Sequence, residues 1–225
     1  MEAIQMENLF DAVMKEDVPA LLSLFHQGEA NLVMPSFGLV ANNRIFTMLV
    51  HKIANRFRYL HVSARALHVE KGTGLLVAEY MLSYLFYDEE RQKNIVYDTP
   101  TALLCDLDAE GKIERMIVYT DFDAFVGKPI IRPAIYNARS ELREQLPQAV
   151  QALYDDDTQR RYELCRVHTL GERLYVEENA LFTKGEICTP QAHLSVFVLG
   201  QDGSVKQRCD YGGIVWDFKL WPTLY

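Results

Sequence analysis

The segment KIERMIVYTDFD, residues 112–123, places a guanidinium, a phenol and a carboxylic acid on one predicted strand. Alternate side chains of a strand point to one face, so Arg115, Tyr119 and Asp121 share a face. Apolar surroundings move the pKa of a carboxylic acid toward neutral pH, and a hydroxyl can stabilise an enolate. We therefore predict Asp121 as general acid or base and Tyr119 as hydrogen-bond donor. The alternative is a structural ion pair on the surface.

Three other polar residues, together with Arg115, are predicted to contact a ligand. Tyr80 and Tyr84 share one face of the aromatic strand LLVAEYMLSYLFYD. Most side chains on that face are expected to be core, but a buried tyrosine needs a hydrogen-bond partner, which a ligand oxygen can supply. Asp98, at the start of the next strand, is the reserve carboxylate.

The histidines and cysteines show no spacing typical of a metal or redox site. His61 and His68 are seven residues apart, so on one regular strand they would point to opposite faces. The four cysteines are widely spread and contain no CxxC pair, which is typical of reduced, buried thiols. No GxSxG, GxGxxG, HExxH or phosphate-loop pattern occurs. We expect no metal and no cofactor.

Composition predicts a globular chain without nucleic-acid or membrane partners. The 225 residues are 49% hydrophobic and 24% charged, and the formal net charge is −8. An acidic chain offers no broad positive surface to phosphates or anionic lipid. The N-terminal segment lacks a basic region followed by an apolar one, and no apolar run of about 18 residues occurs. We expect a cytoplasmic protein.

Periodicity predicts three helices followed by four antiparallel strands. Asp17 is expected to cap the second helix, which ends at Gly28, and Asn42 or Asn43 to cap the third. From residue 61 the apolar period changes to two, in segments rich in β-branched and aromatic residues. The apolar residues of the first helix repeat at three- and four-residue spacing: Met6, Leu9, Phe10, Val13 and Met14.

Matching segments in the two halves of the chain suggest an internal duplication. Four residues recur 107 positions later, a Thr-Pro pair recurs 90 positions later, and Tyr119 matches Tyr211 at an offset of 92. We interpret residues 139–225 as a second copy that has lost about 17 residues of its long hairpin. The four residues of the first match are His61, Leu67, Val69 and Glu70.

A helix pair, an edge broken by proline and glycine, a third helix and a long meander ending in GKIERMIVYTDFDAF resemble the SnoaL-like polyketide cyclases. They also resemble the wider nuclear-transport-factor-two-like superfamily, which includes ketosteroid isomerase. The resemblance covers residues 1–127 well and residues 139–218 weakly. It implies an α+β fold in which a cone-shaped, strongly curved antiparallel sheet packs on helices, as in cystatin-like and SnoaL-like proteins. A truncated second α+β repeat would follow.

The resemblance also implies a domain organisation. Residues 1–127 would form the cone domain, residues 128–138 a linker, and residues 139–225 the truncated repeat. Because such domains often dimerise through the exposed face of the sheet, the second copy is expected to cover the first as an intrachain pseudo-dimer. A homodimer is the alternative.

What the resemblance implies about function is binding of an apolar small molecule at the wide end of the cone. Family members isomerise, cyclise or hydrate such molecules, usually without a cofactor, whereas others only bind or serve in assembly. The acid that isomerase-type members carry on the first strand is absent, since Met34 and Pro35 stand there. Both a cofactor-free acid–base enzyme and a non-catalytic binding or assembly module are therefore kept as hypotheses.

Overall fold

The protein is a mixed α+β chain, as the sequence predicts. The chain divides into two compact units, Met1–Met34 with Val40–Val118, and Pro35–Leu39 with Tyr119–Tyr225. Asp121 and most of the predicted linker, residues 128–138, lie outside the part of the chain that is described. The computed structural model describes residues 9–35, 39–88, 92–120, 137–156, 160–184 and 187–212.

The three predicted helices of the first unit are present, but the second ends at Leu22 and not at Gly28, because the chain becomes extended at Phe25 and Gly28 closes a separate 3-10 turn, His26–Gly28. Asp17 accepts a hydrogen bond from the Ala20 amide at 3.1 Å, and Asn42 accepts one from the Ile45 amide at 3.2 Å, so both predicted N-caps are confirmed. None of the described helices is long and apolar enough to cross a membrane. The helices are α1 (Leu9–Met14), α2 (Val18–Leu22) and α3 (Asn43–Leu60).

The first sheet has six strands in the order β2-β1-β6-β5-β4-β3. β1 pairs with β6 in parallel, and the last four strands form the predicted antiparallel meander. His61 does not belong to a strand, because it caps α3 in a left-handed conformation with φ of 49°. The strands are β1 (Leu32–Met34), β2 (Leu39–Ala41), β3 (Ser63–Lys71), β4 (Leu75–Asp88), β5 (Lys93–Leu107) and β6 (Ile113–Thr120).

The second unit begins with a 3-10 turn, Ser140–Gln145, and helix α4, Gln148–Asp156. Four antiparallel strands follow in the order β10-β9-β8-β7. One face of this sheet packs against the turn and the helix in a shared core of Leu142, Leu146, Val150, Tyr154, Leu164, Leu174, Val176 and Phe197. The strands are β7 (Arg160–Leu170), β8 (Arg173–Lys184), β9 (Ile187–Leu199) and β10 (Val205–Tyr211).

The 107-residue offset read from the sequence is not a structural equivalence. Residues 61–70 cover the helix cap and β3, whereas residues 168–177 end β7, turn at Gly171 and begin β8. Aligning the repeated residues therefore places a strand against a turn. Such a match arises because similar alternating patterns occur on both sides of a hairpin.

The strand registers give a different correspondence. β3 carries an extra residue, Leu67, directly after the partner of Tyr80, and β7 carries Cys165 directly after the partner of Glu178. A bulge is a specific feature of a strand pair, and Tyr80 and Glu178 hold the same register position beside it in their two sheets. Their partners on the next strands, Thr101 and His193, are 92 residues apart, the offset already seen between Tyr119 and Tyr211.

The same registers correct the predicted loss of a hairpin. The chain runs 21 positions from Tyr80 to Thr101 and 15 from Glu178 to His193. The second hairpin is thus six positions shorter, not about 17, and it keeps both long strands.

Candidate functional site

The residues predicted on β6 do not meet at one site. Arg115 donates through Nε and Nη2 to Oδ2 of Asp106, at 2.8 and 2.6 Å. Tyr119, which belongs to the second unit, is buried and donates instead to Oε2 of Glu177 at 2.6 Å. A shared strand face therefore does not bring Arg115 to the phenol, because its long side chain bends toward β5.

The predicted ligand-binding residues of the β4–β5 hairpin lie on two faces. Tyr80 and Tyr84 are buried, as expected. Asp98 is exposed and accepts a hydrogen bond from Oγ of Ser83 at 2.5 Å. Because Ser83 and Tyr84 are neighbours on one strand, Asp98 belongs to the face opposite the tyrosines.

Buried polar side chains are concentrated on the middle strands of the second sheet. β8 carries two adjacent glutamates, Glu177 and Glu178, whose side chains point to opposite faces. Both are fully buried, as are His193 and Ser195 on β9. A buried carboxylate is costly unless it is paired and hydrogen-bonded, so each glutamate must have partners.

The side chain of Glu178 lies on the same face of β8 as the core residues that pack against α4. Its Oε1 lies 2.8 Å from Nδ1 of His193 and accepts from Oγ of Ser195 at 2.8 Å. Its Oε2 accepts from Oη of Tyr154, on α4, at 2.6 Å. Three partners from two elements therefore hold the carboxylate in one orientation. We call Glu178, His193, Ser195 and Tyr154, with Arg208 and Asp210, the Glu178 cluster.

The outer side of the Glu178 cluster is formed by β10. Arg208 donates through Nε to Oδ1 of Asp210 at 2.8 Å, and Ser195 also contacts that oxygen, at 2.9 Å. The Arg208 guanidinium lies 5.4–5.9 Å from the ring centroids of three aromatic residues, a cation–π arrangement. These rings belong to Tyr154, Tyr162 and Phe197.

The environment shifts two titratable groups of the cluster. Burial, and then the charge of Glu178, raise the pKa of the Tyr154 phenol well above its ordinary value, so this hydroxyl keeps its proton. Burial alone would lower the pKa of the Arg208 guanidinium, but Asp210 raises it further above its usual range. Arg208 therefore remains a fixed positive charge beside the two carboxylates.

Glu177 has its own partners on the opposite face of β8. Besides the bond from Tyr119, its Oε1 lies 3.3 Å from Nη1 of Arg166 and 3.5 Å from Nε2 of His168. Burial, and then Glu177, raise the pKa of the neighbouring Cys165 thiol to about 12. This thiol is therefore a poor nucleophile.

The geometry of the Glu178 cluster is suited to proton transfer. Because Oε1 of Glu178 is an acceptor, His193 donates through Nδ1, which leaves the lone pair on Nε2. Nε2 has no hydrogen-bond partner among the described residues. A carboxylate that fixes the tautomer of an imidazole is the arrangement of a general base. No group of three potential metal ligands occurs among the described residues.

The Glu178 cluster was not predicted, because no site was expected in residues 139–225. Two features of the sequence point to the cluster. LYVEENALF has two acids inside an otherwise apolar strand, and AHLSVF places His193 and Ser195 two residues apart, on one face. Their cross-strand partners depend on the register of the strands, which cannot be read from the sequence alone.

The comparisons with known proteins concern part of the chain. No protein-family model matches the sequence, and no curated protein matches it. A solved structure classed as a SnoaL-like polyketide cyclase, from Jannaschia sp. CCS1, is 15% identical over 57% of this chain and 91% of its own, with a TM-score of 0.41. An NTF2-like protein of unknown function from Exiguobacterium sp. 255-15 is 15% identical over 53% of this chain and 98% of its own, with a TM-score of 0.39.

A third solved structure is a protein with a cystatin-like fold from Silicibacter pomeroyi DSS-3. It is 14% identical over 55% of this chain and 77% of its own, with a TM-score of 0.40. The matching structures thus come from the groups named by the sequence resemblance.

Proposed function

We propose that the protein binds an apolar small molecule and acts on it by acid–base chemistry, as a cofactor-free isomerase, cyclase or hydratase. His193 is the general base and Glu178 is the residue that positions it. The observation that carries this proposal is the 2.8 Å contact between Oε1 of Glu178 and Nδ1 of His193, both fully buried, with Nε2 left for a substrate proton.

The remaining members of the cluster support this role. Ser195 and Tyr154 satisfy the other acceptor positions of Glu178, so its charge is directed at the imidazole and not at water. Arg208 supplies a positive charge that offsets the pair of carboxylates, Glu178 and Asp210. A base held in this way needs little reorganisation when a proton moves.

We also propose that the two units are copies of one ancestral domain. The matching bulges and the 92-residue offset support this duplication. Under the register correspondence, the first unit has Tyr80 and Thr101 where the second has Glu178 and His193. The first unit would then retain hydroxyl groups suited to ligand binding, and the second would carry the acid–base pair.

The experiment uses 5-nitrobenzisoxazole, a small apolar probe whose isoxazole ring opens when a base removes the proton on C3. We expect the full-length protein to accelerate ring opening and His193→Gln to lose about a hundredfold of that rate, the lower end of a typical general-base contribution. His168→Gln, on the other face of the same sheet, is the matched control and should keep it. Equal rates for wild type and His193→Gln would disprove the base assignment.

The second candidate is a non-catalytic binding or assembly module. It is favoured by the exposed fraction of His193, which is only 1%, because a base must reach its substrate. Native mass spectrometry of protein taken from its own cells separates the two functions. A retained small molecule without probe turnover would support binding, and a retained protein would support assembly.

A further inference from the structure

We infer that Asp210 exchanges protons between solvent and the buried Glu178, through two parallel bridges formed by Ser195 and His193. This inference takes the acid–base role of the Glu178 cluster from the proposed function. It adds the route by which the base would regain or release a proton after each turnover.

The strand register builds both bridges. Glu178 is the cross-strand partner of His193, and Asp210 is the partner of Ser195. His193 and Ser195 are two residues apart on β9 and therefore share a face. The middle strand thus places two proton-carrying side chains between a carboxylate on β8 and a carboxylate on β10.

The serine bridge is continuous. Oγ of Ser195 lies 2.8 Å from Oε1 of Glu178 and 2.9 Å from Oδ1 of Asp210. The hydroxyl carries a single proton, which it can donate to either carboxylate, and Oγ also accepts a hydrogen bond from Nη2 of Arg208 at 3.2 Å. A proton that either carboxyl group takes up from water therefore has a path through this oxygen.

That proton can move without any change in heavy-atom positions. If it starts on Asp210, its O–H bond breaks as a new O–H bond forms on Oγ of Ser195. The original hydroxyl proton passes at the same time to Oε1 of Glu178. Two O–H bonds break and two form, so one proton and one unit of charge are transferred between the carboxylates.

The histidine bridge has one close and one open contact. Nδ1 of His193 is 2.8 Å from Oε1 of Glu178, and Nε2 is 3.9 Å from Oδ1 of Asp210. The longer separation exceeds a hydrogen bond. Transfer across it requires a small approach of the two side chains, so the serine bridge is the faster path.

Solvent exposure increases along the relay from Glu178 to Asp210. The side chains of Glu178 and His193 are 0% and 1% exposed, whereas that of Asp210 is 38% exposed. Asp210 is therefore the member of the relay that meets water. Arg208 holds it in place through the 2.8 Å bond from Nε.

The test measures exchange of the His193 ring proton with water, by NMR of full-length protein labelled with ¹⁵N. We expect Asp210→Asn to slow this exchange by roughly tenfold or more, because the proton then leaves only when the sheet opens locally. Asp210→Glu should restore it. Asp202→Asn removes a carboxylate from the β9–β10 turn and should leave the exchange rate unchanged.

Equal exchange rates in wild type and Asp210→Asn would overturn the relay. Its failure is distinguishable from failure of the proposed function. If His193→Gln abolishes probe turnover while Asp210→Asn leaves exchange unchanged, only the relay is wrong. If Asp210→Asn slows exchange but His193→Gln keeps probe turnover, the relay holds and the proposed function is wrong.

Discussion

Oη of Tyr154 donates to Oε2 of Glu178 at 2.6 Å, joining helix α4 to the second strand of its sheet. The bond closes the polar end of a core that is otherwise apolar. It also fixes the carboxylate oxygen that does not face His193. The phenol thus contributes both to the packing of α4 and to the orientation of the proposed base.

Tyr154→Phe should lower the free energy of unfolding by about 1–3 kcal/mol, because it leaves a buried carboxylate oxygen without its donor. Urea unfolding followed by circular dichroism measures the change. Tyr59→Phe is the control, since Tyr59 is 76% exposed, and it should have little effect. A Tyr154→Phe protein as stable as wild type would show that the bond does not contribute.

Alkaline pH should destabilise the wild type more than Tyr154→Phe. Burial, and then Glu178, raise the pKa of Tyr154 above its ordinary value of 10.0. The folded state therefore binds this proton more tightly, so the contribution is complete below pH 10.0 and is lost as pH rises through the folded pKa. Unfolding free energies measured across this range should converge for the two proteins, and parallel curves would contradict the prediction.

The elements of the fold could be predicted because their signals are local. Asp17 and Asn42 cap helices through contacts three residues away, and alternating apolar residues marked the strands of the first sheet. The bulges at Leu67 and Cys165 could not be predicted, because an extra residue in a strand is not marked by any particular residue type. These bulges decide which face each later side chain occupies.

The candidate site could not be predicted for a related reason. Glu178, His193 and Asp210 stand on three strands, and only the pairing between strands brings them together. Arg115 shows the opposite case, since it shares a strand with Tyr119 yet binds Asp106. The predicted role of Asp121 stays a prediction, and Asp121→Asn in the probe assay would test it.

The turn between β5 and β6 should weaken in acid through Asp108. Its Oδ1 accepts from the amides of Glu110 and Lys112, each at 2.8 Å, and Oδ2 lies 2.6 Å from Nδ1 of His26. The bond with His26, the largest cause, lowers the pKa of Asp108 below its ordinary 3.8. Its stabilising contribution is therefore present above pH 3.8 and lost as pH falls through the folded pKa.

Asp108→Asn keeps an oxygen for the two amides but removes the charge that faces His26. We expect it to be less stable than wild type at neutral pH, with the difference shrinking below pH 3.8. Glu110→Gln, which removes a neighbouring exposed carboxylate, should leave the loss of stability below pH 3.8 unchanged. A constant difference between wild type and Asp108→Asn at all pH values would show that the ion pair plays no part.

Cys165 and Cys105 should resist alkylation in the folded protein. Burial, and then Glu177, raise the pKa of Cys165 to about 12, and burial, and then Asp106, raise that of Cys105. Only the thiolate reacts, so iodoacetamide at mildly alkaline pH should label the half-buried Cys209 before either of these two. Peptide mass spectrometry identifies the labelled positions, and denatured protein provides the fully reactive control. Early labelling of Cys165 would contradict the described burial.

Phe197→Ala should cost about 3–5 kcal/mol of unfolding free energy, because it removes a fully buried ring from the core shared by α4 and the second sheet. The ring also lies 5.4 Å from the Arg208 guanidinium, so the variant should loosen the hold on Asp210 as well. Urea unfolding measures the first effect. Leu153→Ala, at a 37% exposed position of the same helix, is the control and should change stability by about 0.5 kcal/mol or less. Equal losses for both variants would mean that this core does not stabilise the second unit.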